Sequence, residues 1–357
     1  MSGTSLDAID VALCQRNTAG FIQIAGIAID LEPQLRQQLL TICNDKKVTL
    51  QTLGEVDHRF ALACAQAVTT LLKKTSIHAQ QVTAIGSHGQ TIFHSPDTRY
   101  AFTQQIGDGN LIAAKTSIAC VADFRRMDMA YGGQGAPLVP AFHQALFAQP
   151  NTERVILNIG GISNISILRG TEHALGYDTG PGNMLMDAWI HQQQQKSYDK
   201  NGEFAAMGQI DKTLLNTLLA DPYFALPAPK STGREKFNLT WLTQQLIGLT
   251  IQPADVQRTL LEFTAVTISE QITLQSAPCD VYVCGGGALN PLLMTRLAEL
   301  MPTYSLHTTK ALAIDPMYVE AVAFAWLAEQ RILAKPVPLK SVTGATKDAI
   351  LGCLYLP

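Results

Sequence analysis

Three turns built from small residues are the features of this 357-residue sequence that could hold an anion. They are residues 2–5 in MSGTSLDAID, residues 160–161 in RVILNIGGISNISIL and residues 285–287 in VCGGGALN. Turns without side chains let backbone N–H groups approach a phosphate closely, and hydroxyl groups add further donors. One such turn is also ordinary hairpin chemistry, but three in one chain favour a nucleotide site. Neither G-x-x-x-x-G-K-[ST] nor G-x-G-x-x-G occurs, so the phosphates would be held in another way.

A carboxylate and a pair of arginines are the next candidates for chemistry. Asp178 in GYDTGPGNMLMDAWI precedes a turn that opens a helix, where it could act as a base on a hydroxyl or water, or merely cap the turn. Arg125 and Arg126 lie in the Gly-rich stretch ADFRRMDMAYGGQGAPLVP. They could clamp a carboxylate or a transferring phosphoryl group, or form an ordinary surface pair. His88 in SHGQ and Glu320 in DPMYVEA are further candidates.

The elements that must position these residues follow from the hydrophobic pattern. Residues 155–159 and 162–168 predict a hairpin around the Gly-Gly turn, and residues 2–5 predict a turn leading into a strand at 9–13. The spacing of apolar residues predicts a helix within 50–74, and CDVYVCGGGALNPLLM reads as strand, glycine turn and helix. Alternating strands and helices are typical of an α/β protein, and the two turn-and-strand units suggest two related domains.

The composition excludes several classes of partner. The chain has 26 Lys and Arg against 29 Asp and Glu, a net charge of -3, so no broad basic surface is expected and nucleic acid is not a predicted partner. The longest apolar tracts are too short for a membrane span, and the N-terminus lacks the pattern of a signal peptide. We therefore expect a cytoplasmic protein with no membrane partner.

Several blocks of unusual composition resemble the anhydro-N-acetylmuramic acid kinases, a family of the acetate and sugar kinase, heat-shock chaperone and actin superfamily. The resemblance runs from Met1 to VTGATKDAILG near the C-terminus. The blocks are MSGTSLDAIDVAL, GSHGQTIFH, QIGDGN, DFRRMDMAYGGQGAPLVPAFH, NIGGISNIS, GYDTGPGNMLMD, STGREKFN, VCGGGALN and DPMYVEAVAFAWLA.

The resemblance implies a two-lobed actin-like ATPase fold, built from duplicated ribonuclease-H-like domains with ATP in a central cleft. Residues 1–125 would form the first lobe and residues 126–357 the second, with the extreme C-terminus able to pack back on the first. The resemblance also implies two phosphate-binding loops and an adenosine-binding turn. The residues so assigned to ATP are Gly3, Thr4, Ser5, Leu6, Asp7, Ala8, Ile9, Asp10, Gly160, Gly161, Gly285, Gly286 and Gly287.

The reaction implied is conversion of 1,6-anhydro-N-acetylmuramic acid to N-acetylmuramic acid 6-phosphate, with ATP and Mg²⁺, in peptidoglycan recycling. The 6-oxygen of this sugar is tied into an anhydro bridge and carries no proton. A water attacking the anomeric carbon would open the bridge while the phosphoryl group is transferred, and Asp178 matches the family's catalytic Asp. The resemblance places His88, Arg125 and Glu320 around the substrate, and it implies a homodimer.

This sequence departs from the family pattern at the first turn. Family members carry a short apolar strand before MSGTS. Either its absence reflects a shortened gene model, which we expect, or the strand is missing and the loop is poorly held. Ala8 stands where the family has Gly, which would cost about 1 kcal/mol if that position had a positive φ. Ser2 takes the place of the superfamily's usual metal-linked Asp, so Asp7 is the candidate metal ligand. A conventional hexosamine kinase and a nucleotide-binding regulatory module are the alternative functions.

Overall fold

The computed structural model describes residues 1–3, 6, 8–18, 20–45, 47–170, 174–228 and 230–357. The chain divides into two compact units. The first comprises Met1–Leu146 together with Ala313–Pro357, and the second comprises Phe147–Leu312. Both contain strands and helices, so the predicted α/β class is confirmed.

A long hairpin opens the first unit. Strand β1 (Ala8–Asn17) pairs antiparallel with β2 (Gly20–Asp30). Residues ahead of β1 extend this pairing, because Met1 and Asp10 exchange two backbone hydrogen bonds of 2.8 Å and Ser2 bridges to Ile9. The predicted strand at 9–13 is therefore part of β1, and a two-residue arm pairs with its beginning.

The remaining elements of this part of the chain surround an apolar core. Helix α2 begins after Thr49, whose hydroxyl accepts a hydrogen bond from the Thr52 N–H, and it buries Val56 and Phe60 against Leu39. Strand β3 is parallel to β6, and β4 is antiparallel to β5. The elements are α1 (Pro33–Asp45), α2 (Leu50–Thr75), β3 (Ile85–Gly86), β4 (Gln90–Ser95), β5 (Phe102–Ile106), α3 (Gly109–Thr116), β6 (Cys120–Ala122), α4 (Arg126–Ala130) and α5 (Val139–Phe147).

The second unit is built on a five-stranded sheet. Its strands are β7 (Glu153–Ile159), β8 (Ile162–Arg169), β9 (Leu175–Pro181), β10 (Asp280–Cys284) and β11 (Ser305–Thr308). Their order is β11-β10-β7-β8-β9, with β10 parallel to β7 and β11 and with β7, β8 and β9 antiparallel in sequence. The predicted hairpin around residues 160–161 is confirmed as β7 and β8, and β9 is an edge strand.

Six helices described in this unit cover the sheet. They are α6 (Met184–Gln194), α7 (Glu203–Ala206), α8 (Lys212–Leu219), α9 (Leu239–Gln245), α10 (Pro253–Gln275) and α11 (Pro291–Leu300). Helix α10 is buried along most of its length, and Phe263 and Ile268 lie in one apolar cluster with Val155 and Val283 of the sheet. Asn290 caps α11 by accepting a hydrogen bond from the Leu293 N–H, as the strand, glycine turn and helix pattern predicts.

The C-terminal segment belongs to the first unit. It contains α12 (Val319–Ile332), α13 (Lys340–Thr343) and β12 (Cys353–Tyr355), which pairs antiparallel with β6. The first compact unit continues beyond residue 125, the end of the predicted first lobe, to Leu146, and it includes this segment, as the prediction allowed for the extreme C-terminus. The reason lies in contacts far apart in sequence: the Thr343 hydroxyl donates to the Asp128 carboxylate at 2.7 Å, and the Gln134 N–H donates to the Thr343 carbonyl at 2.9 Å.

Two adjacent glycines after β10 differ in how closely they are packed. A Cβ on Gly287 would lie 2.3 Å from Cγ2 of the buried Ile159, whereas a Cβ on Gly286 has its nearest neighbour at 3.5 Å. We expect Gly287→Ala to lower the free energy of unfolding by about 1–3 kcal/mol because it overpacks the core, and Gly286→Ala to change it by less than about 1 kcal/mol. Urea denaturation of the two variants measures this difference, and equal losses would contradict it.

Candidate active site

Asp178 lies on the edge strand β9 and is held by one of its two carboxylate oxygens. Oδ2 accepts hydrogen bonds from the Thr232 N–H at 3.0 Å and from the Ser231 hydroxyl at 3.2 Å. Among the residues that the structure describes, no donor is bonded to Oδ1. Burial raises the pKa of this carboxyl, and the two hydrogen bonds oppose the rise. A carboxylate with a raised pKa and one free oxygen is suited to accept a proton from water.

The Gly160–Gly161 turn at the end of β7 is fixed through its carbonyl groups. The Gly160 carbonyl accepts from the Asn183 N–H at 2.8 Å, and the Gly161 carbonyl accepts from the N–H groups of Gly182 and Met184 at 2.9 and 3.2 Å. Met184 is the first residue of helix α6 and Asn183 is its N-cap, so the turn is bonded to the chain that enters this helix. A Cβ on Gly160 or Gly161 would meet nothing closer than 3.5 Å. Packing does not require glycine here, and the space beside the turn is open to a ligand.

The turn at residues 285–287 packs against the same end of β7. Gly285 has a φ of +77°, and a Cβ there would lie 2.6 Å from both the Ile159 carbonyl oxygen and Oδ1 of Asn158. Glycine at this position is therefore needed for the fold, unlike Gly160. The two glycine turns flank the end of one strand.

Asn183 links the two glycine turns and was not among the site residues predicted from the sequence. Its Nδ2 donates to the Ile159 carbonyl at 3.1 Å, while its backbone N–H holds Gly160. Its Oδ1 lies 3.3 Å from the position a Cβ on Gly287 would take. The available signal was its place at the end of DTGPGN, immediately before a helix, where asparagine is a common cap.

Arg125 and His88 form a buried pair in the first unit. Nη2 of Arg125 lies 2.9 Å from Nε2 of His88, and Nη1 donates to the Gly135 carbonyl at 2.8 Å. A guanidinium only donates, so His88 Nε2 must be the acceptor, and the ring is neutral with its proton on Nδ1. Burial and the neighbouring Arg125 hold the pKa of His88 well below its ordinary value. His88 therefore orients Arg125 and does not exchange protons near neutral pH.

Two carboxyl groups are coupled to this pair, Glu320 directly through Arg125 and Asp10 through Glu320. Glu320, in the first turn of α12, has its pKa raised by burial and by Asp10, while Arg125 opposes the rise. Burial raises the pKa of Asp10 to about 6, against the effect of the N-terminal amine. Burial also lowers the pKa of Arg125 to about 10, and Glu320 opposes this change. The structure thus brings the predicted residues Asp10, His88, Arg125 and Glu320 into one group.

The first turn corrects one expectation from the sequence. Among the described residues of this turn, Leu6 is left-handed, with φ at 55°, and its buried side chain packs in the core. Ala8 begins β1 and pairs with Asp30, so the cost expected from a positive φ at Ala8 does not arise. The predicted ligands Thr4, Ser5 and Asp7 lie outside the described residues.

A pocket of the first unit lies beside His88. Its lining is mostly polar and includes the QIGDGN block, with the carboxylates of Asp57, Asp108 and Asp123 and with Tyr355 of β12. All three carboxylates are already engaged: Asp57 accepts from the Gly107 N–H at 2.5 Å, Asp108 accepts from the Asn110 N–H at 2.8 Å, and Asp123 pairs with Arg126 at 2.7 Å. Such a recess suits a ligand rich in hydroxyl and amide groups.

Two further findings concern metals and membranes. Among the described residues, no group of three or more His, Cys, Asp or Glu side chains is placed to hold a metal ion. Within the same part of the chain, no helix has the length and apolar character needed to cross a membrane.

The chain has an α/β framework with glycine turns at a strand end, a carboxylate with one unbonded oxygen and a buried arginine. These are the features of a small-molecule kinase. Comparison with known proteins narrows this class. The profile of the family described as anhydro-N-acetylmuramic acid kinase matches residues 1–357. The chain belongs to the anhydro-N-acetylmuramic acid kinase family.

Curated relatives agree with this assignment. The chain is 54% identical to the anhydro-N-acetylmuramic acid kinase of Pasteurella multocida, covering 99% of this chain and 95% of that protein. It is 53% identical to the enzyme of the same name from Photobacterium profundum, covering 99% and 97%. It is also similar to a solved structure of the activator of 2-hydroxyisocaproyl-CoA dehydratase from Clostridium difficile with bound ADPNP, at 14% identity, 71% and 96% coverage and a TM-score of 0.38.

The assignment of His88 as a neutral Nδ1–H imidazole can be tested directly. We expect its ring to show no titration between about pH 5 and 8, because a proton on Nε2 would face the Arg125 guanidinium. Nitrogen NMR of labelled protein reports the tautomer, and the spectrum of His88→Gln identifies the signal. A titration within that range, or a proton on Nε2 at neutral pH, would be inconsistent with the pair as described.

Proposed function

We propose that this protein uses ATP to convert 1,6-anhydro-N-acetylmuramic acid to N-acetylmuramic acid 6-phosphate, with hydrolytic opening of the anhydro bridge. The observation that carries the proposal is the Asp178 carboxylate, with Oδ2 bound by two donors and Oδ1 left for water. An acceptor sugar with a free hydroxyl needs a base on that hydroxyl. This sugar has none at its 6-oxygen, so the base must act on a water.

The proposed reaction is balanced as follows. Asp178 takes a proton from water, and the water oxygen forms a bond to the anomeric carbon. The bond from this carbon to the 6-oxygen breaks, and the 6-oxygen takes the γ-phosphoryl group of ATP, releasing ADP. A base with a raised pKa is effective in this role because its strength as a proton acceptor is greater than that of an ordinary carboxylate.

The glycine turns of the second unit are the proposed ATP contacts. Gly160 and Gly161 leave open space beside the turn, which suits phosphate oxygens, and residues 285–287 follow as the adenosine-side turn. We propose that Mg²⁺ is bound chiefly by the ATP phosphates, where it supplies charge neutralisation. In the first proposed phosphate-binding loop, Asp10 is the carboxylate that the structure describes. Its pKa of about 6 leaves it largely ionised at neutral pH, so it is available to contact Mg²⁺.

Arg125 and its neighbours are the proposed contacts to the sugar. Two of the five guanidinium N–H groups are engaged, by Gly135 and His88, and three remain for a carboxylate such as the lactyl group. Glu320 favours the charged form of Arg125, and the polar pocket beside His88 suits the hydroxyl and acetamido groups. We further propose that the enzyme acts in the cytoplasm, in peptidoglycan recycling, as a homodimer.

Replacing the proposed base tests this function. We expect Asp178→Asn to lower turnover by a factor of about 10²–10⁴, the usual contribution of a general base, with the affinity for a non-hydrolysable ATP analogue unchanged. Phosphorylated sugar measured by mass spectrometry, together with calorimetric titration of the analogue, gives both values. Arg125→Lys is the companion variant, expected to weaken sugar binding because a point charge replaces the planar fork. Full turnover in Asp178→Asn would refute the assignment of the base.

The open turn at Gly160 gives a second test. We expect Gly160→Ala to weaken binding of the ATP analogue about tenfold, since the added methyl occupies the space offered to phosphate, with little loss of stability. Gly54→Ala is the control, because a Cβ on this α2 residue meets nothing within 4 Å and a Cβ on Gly160 meets nothing closer than 3.5 Å, so neither change overpacks the fold. Calorimetry and the unfolding midpoint should separate the two variants. Unchanged nucleotide affinity in Gly160→Ala would show that this turn does not hold phosphate.

A further inference from the structure

Residues 221–228 and 230–241 form a strap along the edge strand β9 at Asp178. Two contacts reach the backbone of Asp178: its N–H donates to the Lys230 carbonyl at 3.0 Å, and its carbonyl accepts from the Tyr223 hydroxyl at 2.6 Å. Two more reach the side chain, from Ser231 and Thr232. The strap therefore fixes the main chain and the carboxylate of one residue at the same time.

Tyr223 occupies a position at the centre of the strap. The ammonium groups of Lys230 and Lys236 lie 4.9 and 5.4 Å from the centre of its ring. Lys230 also donates to the Tyr223 and Phe224 carbonyls, and Lys236 pairs with Asp221 at 2.6 Å. Burial and Asp178 raise the pKa of Tyr223 well above its ordinary value, so its hydroxyl remains a donor.

An aromatic cluster attaches the strap to the core. Tyr223, Phe224 and Phe237 contact one another with ring centres 5.4 to 5.8 Å apart, and Phe224 and Trp241 reach Phe263 of helix α10. Aromatic contacts of this geometry add to the stabilisation that burial provides. The donors at residues 231 and 232 therefore project from an anchored segment, even though the Ser231 side chain itself is exposed.

We propose that Ser231 is a positioning residue for the reaction: its hydroxyl holds the Asp178 carboxylate so that Oδ1 meets the attacking water. This inference rests on the proposed function, because it concerns the same base. Thr232 contributes a backbone N–H, which any residue except proline would supply, whereas Ser231 contributes the side-chain donor. The other ionisable groups that affect this carboxyl are Glu235, which disfavours its charge, and Tyr223, which bonds the neighbouring backbone.

Loss of the Ser231 hydroxyl has two predicted consequences. One donor that favours the charged carboxylate disappears, so the pKa of Asp178 rises. As the pH is lowered, the carboxylate is therefore protonated earlier, and activity falls at a higher pH than in the wild type. The carboxylate also becomes free to rotate, which lowers turnover without affecting the nucleotide site. A residue that served only the fold would instead change the unfolding midpoint, leaving the pH dependence of turnover as it was.

The test compares the pH profiles of kcat for the wild type, Ser231→Ala and Ser231→Thr. We expect Ser231→Ala to lower kcat about tenfold and to move the acid limb upward by about one pH unit, with KM for ATP within twofold and the unfolding midpoint unchanged. Ser231→Thr, which restores a hydroxyl, is expected to recover most of both effects. Thr217→Ala serves as the control, because this exposed hydroxyl on α8 bonds only the Thr213 carbonyl.

The outcomes separate the inference from the proposed function. An unshifted acid limb in Ser231→Ala, or equal losses in Ser231→Ala and Ser231→Thr, would overturn the positioning role. If Asp178→Asn is inactive in the same assay, the assignment of Asp178 as the base still holds even when the positioning role of Ser231 is overturned. Retained turnover in Asp178→Asn would instead overturn the proposed function on which the inference depends.

Discussion

The hydrogen bonds that hold one oxygen of Asp178 are the constraint on which the site depends. They are possible because β9 is the edge strand of the sheet, which leaves its outer side open for residues 230–232. The Lys230 carbonyl fixes the backbone, and Ser231 and Thr232 fix the carboxylate. In an interior strand, the same backbone groups would be hydrogen-bonded to a neighbouring strand. The sheet order therefore determines where a base can be placed and which of its oxygens can react.

Burial has opposite effects on the acidic and the basic groups of the candidate site. It raises the pKa of the acids Asp178 and Glu320, which makes each a stronger proton acceptor, and it lowers the pKa of His88. The common cause is that a poorly hydrated environment disfavours the charged form. The second unit thus carries a carboxylate suited to take a proton, and the first carries a guanidinium oriented by a neutral imidazole. Each property follows from packing as much as from residue type.

Local sequence patterns predicted the strands, turns and helices that form the framework. Features that depend on contacts between residues far apart in sequence could not be predicted in this way. The hairpin around Gly160–Gly161 and the unit of strand, glycine turn and helix at residues 280–300 rest on short-range chemistry, and both are confirmed. The donors to Asp178 lie 53 and 54 residues away, in a segment without periodicity, so no pattern could pair them. The return of residues 313–357 to the first unit depends on contacts such as Thr343 with Asp128, 215 residues apart.

The origin of the oxygen on the anomeric carbon of the product distinguishes coupled hydrolysis from ordinary phosphoryl transfer. The purified enzyme would be incubated briefly with Mg-ATP and 1,6-anhydro-N-acetylmuramic acid in ¹⁸O-water, and the product examined by mass spectrometry. We expect a ring-opened 6-phosphate with one solvent oxygen on the anomeric carbon, because in the proposed mechanism Asp178 directs water to that atom. A phosphorylated product without solvent oxygen there would contradict this mechanism and would indicate transfer to a free hydroxyl, as in a conventional hexosamine kinase.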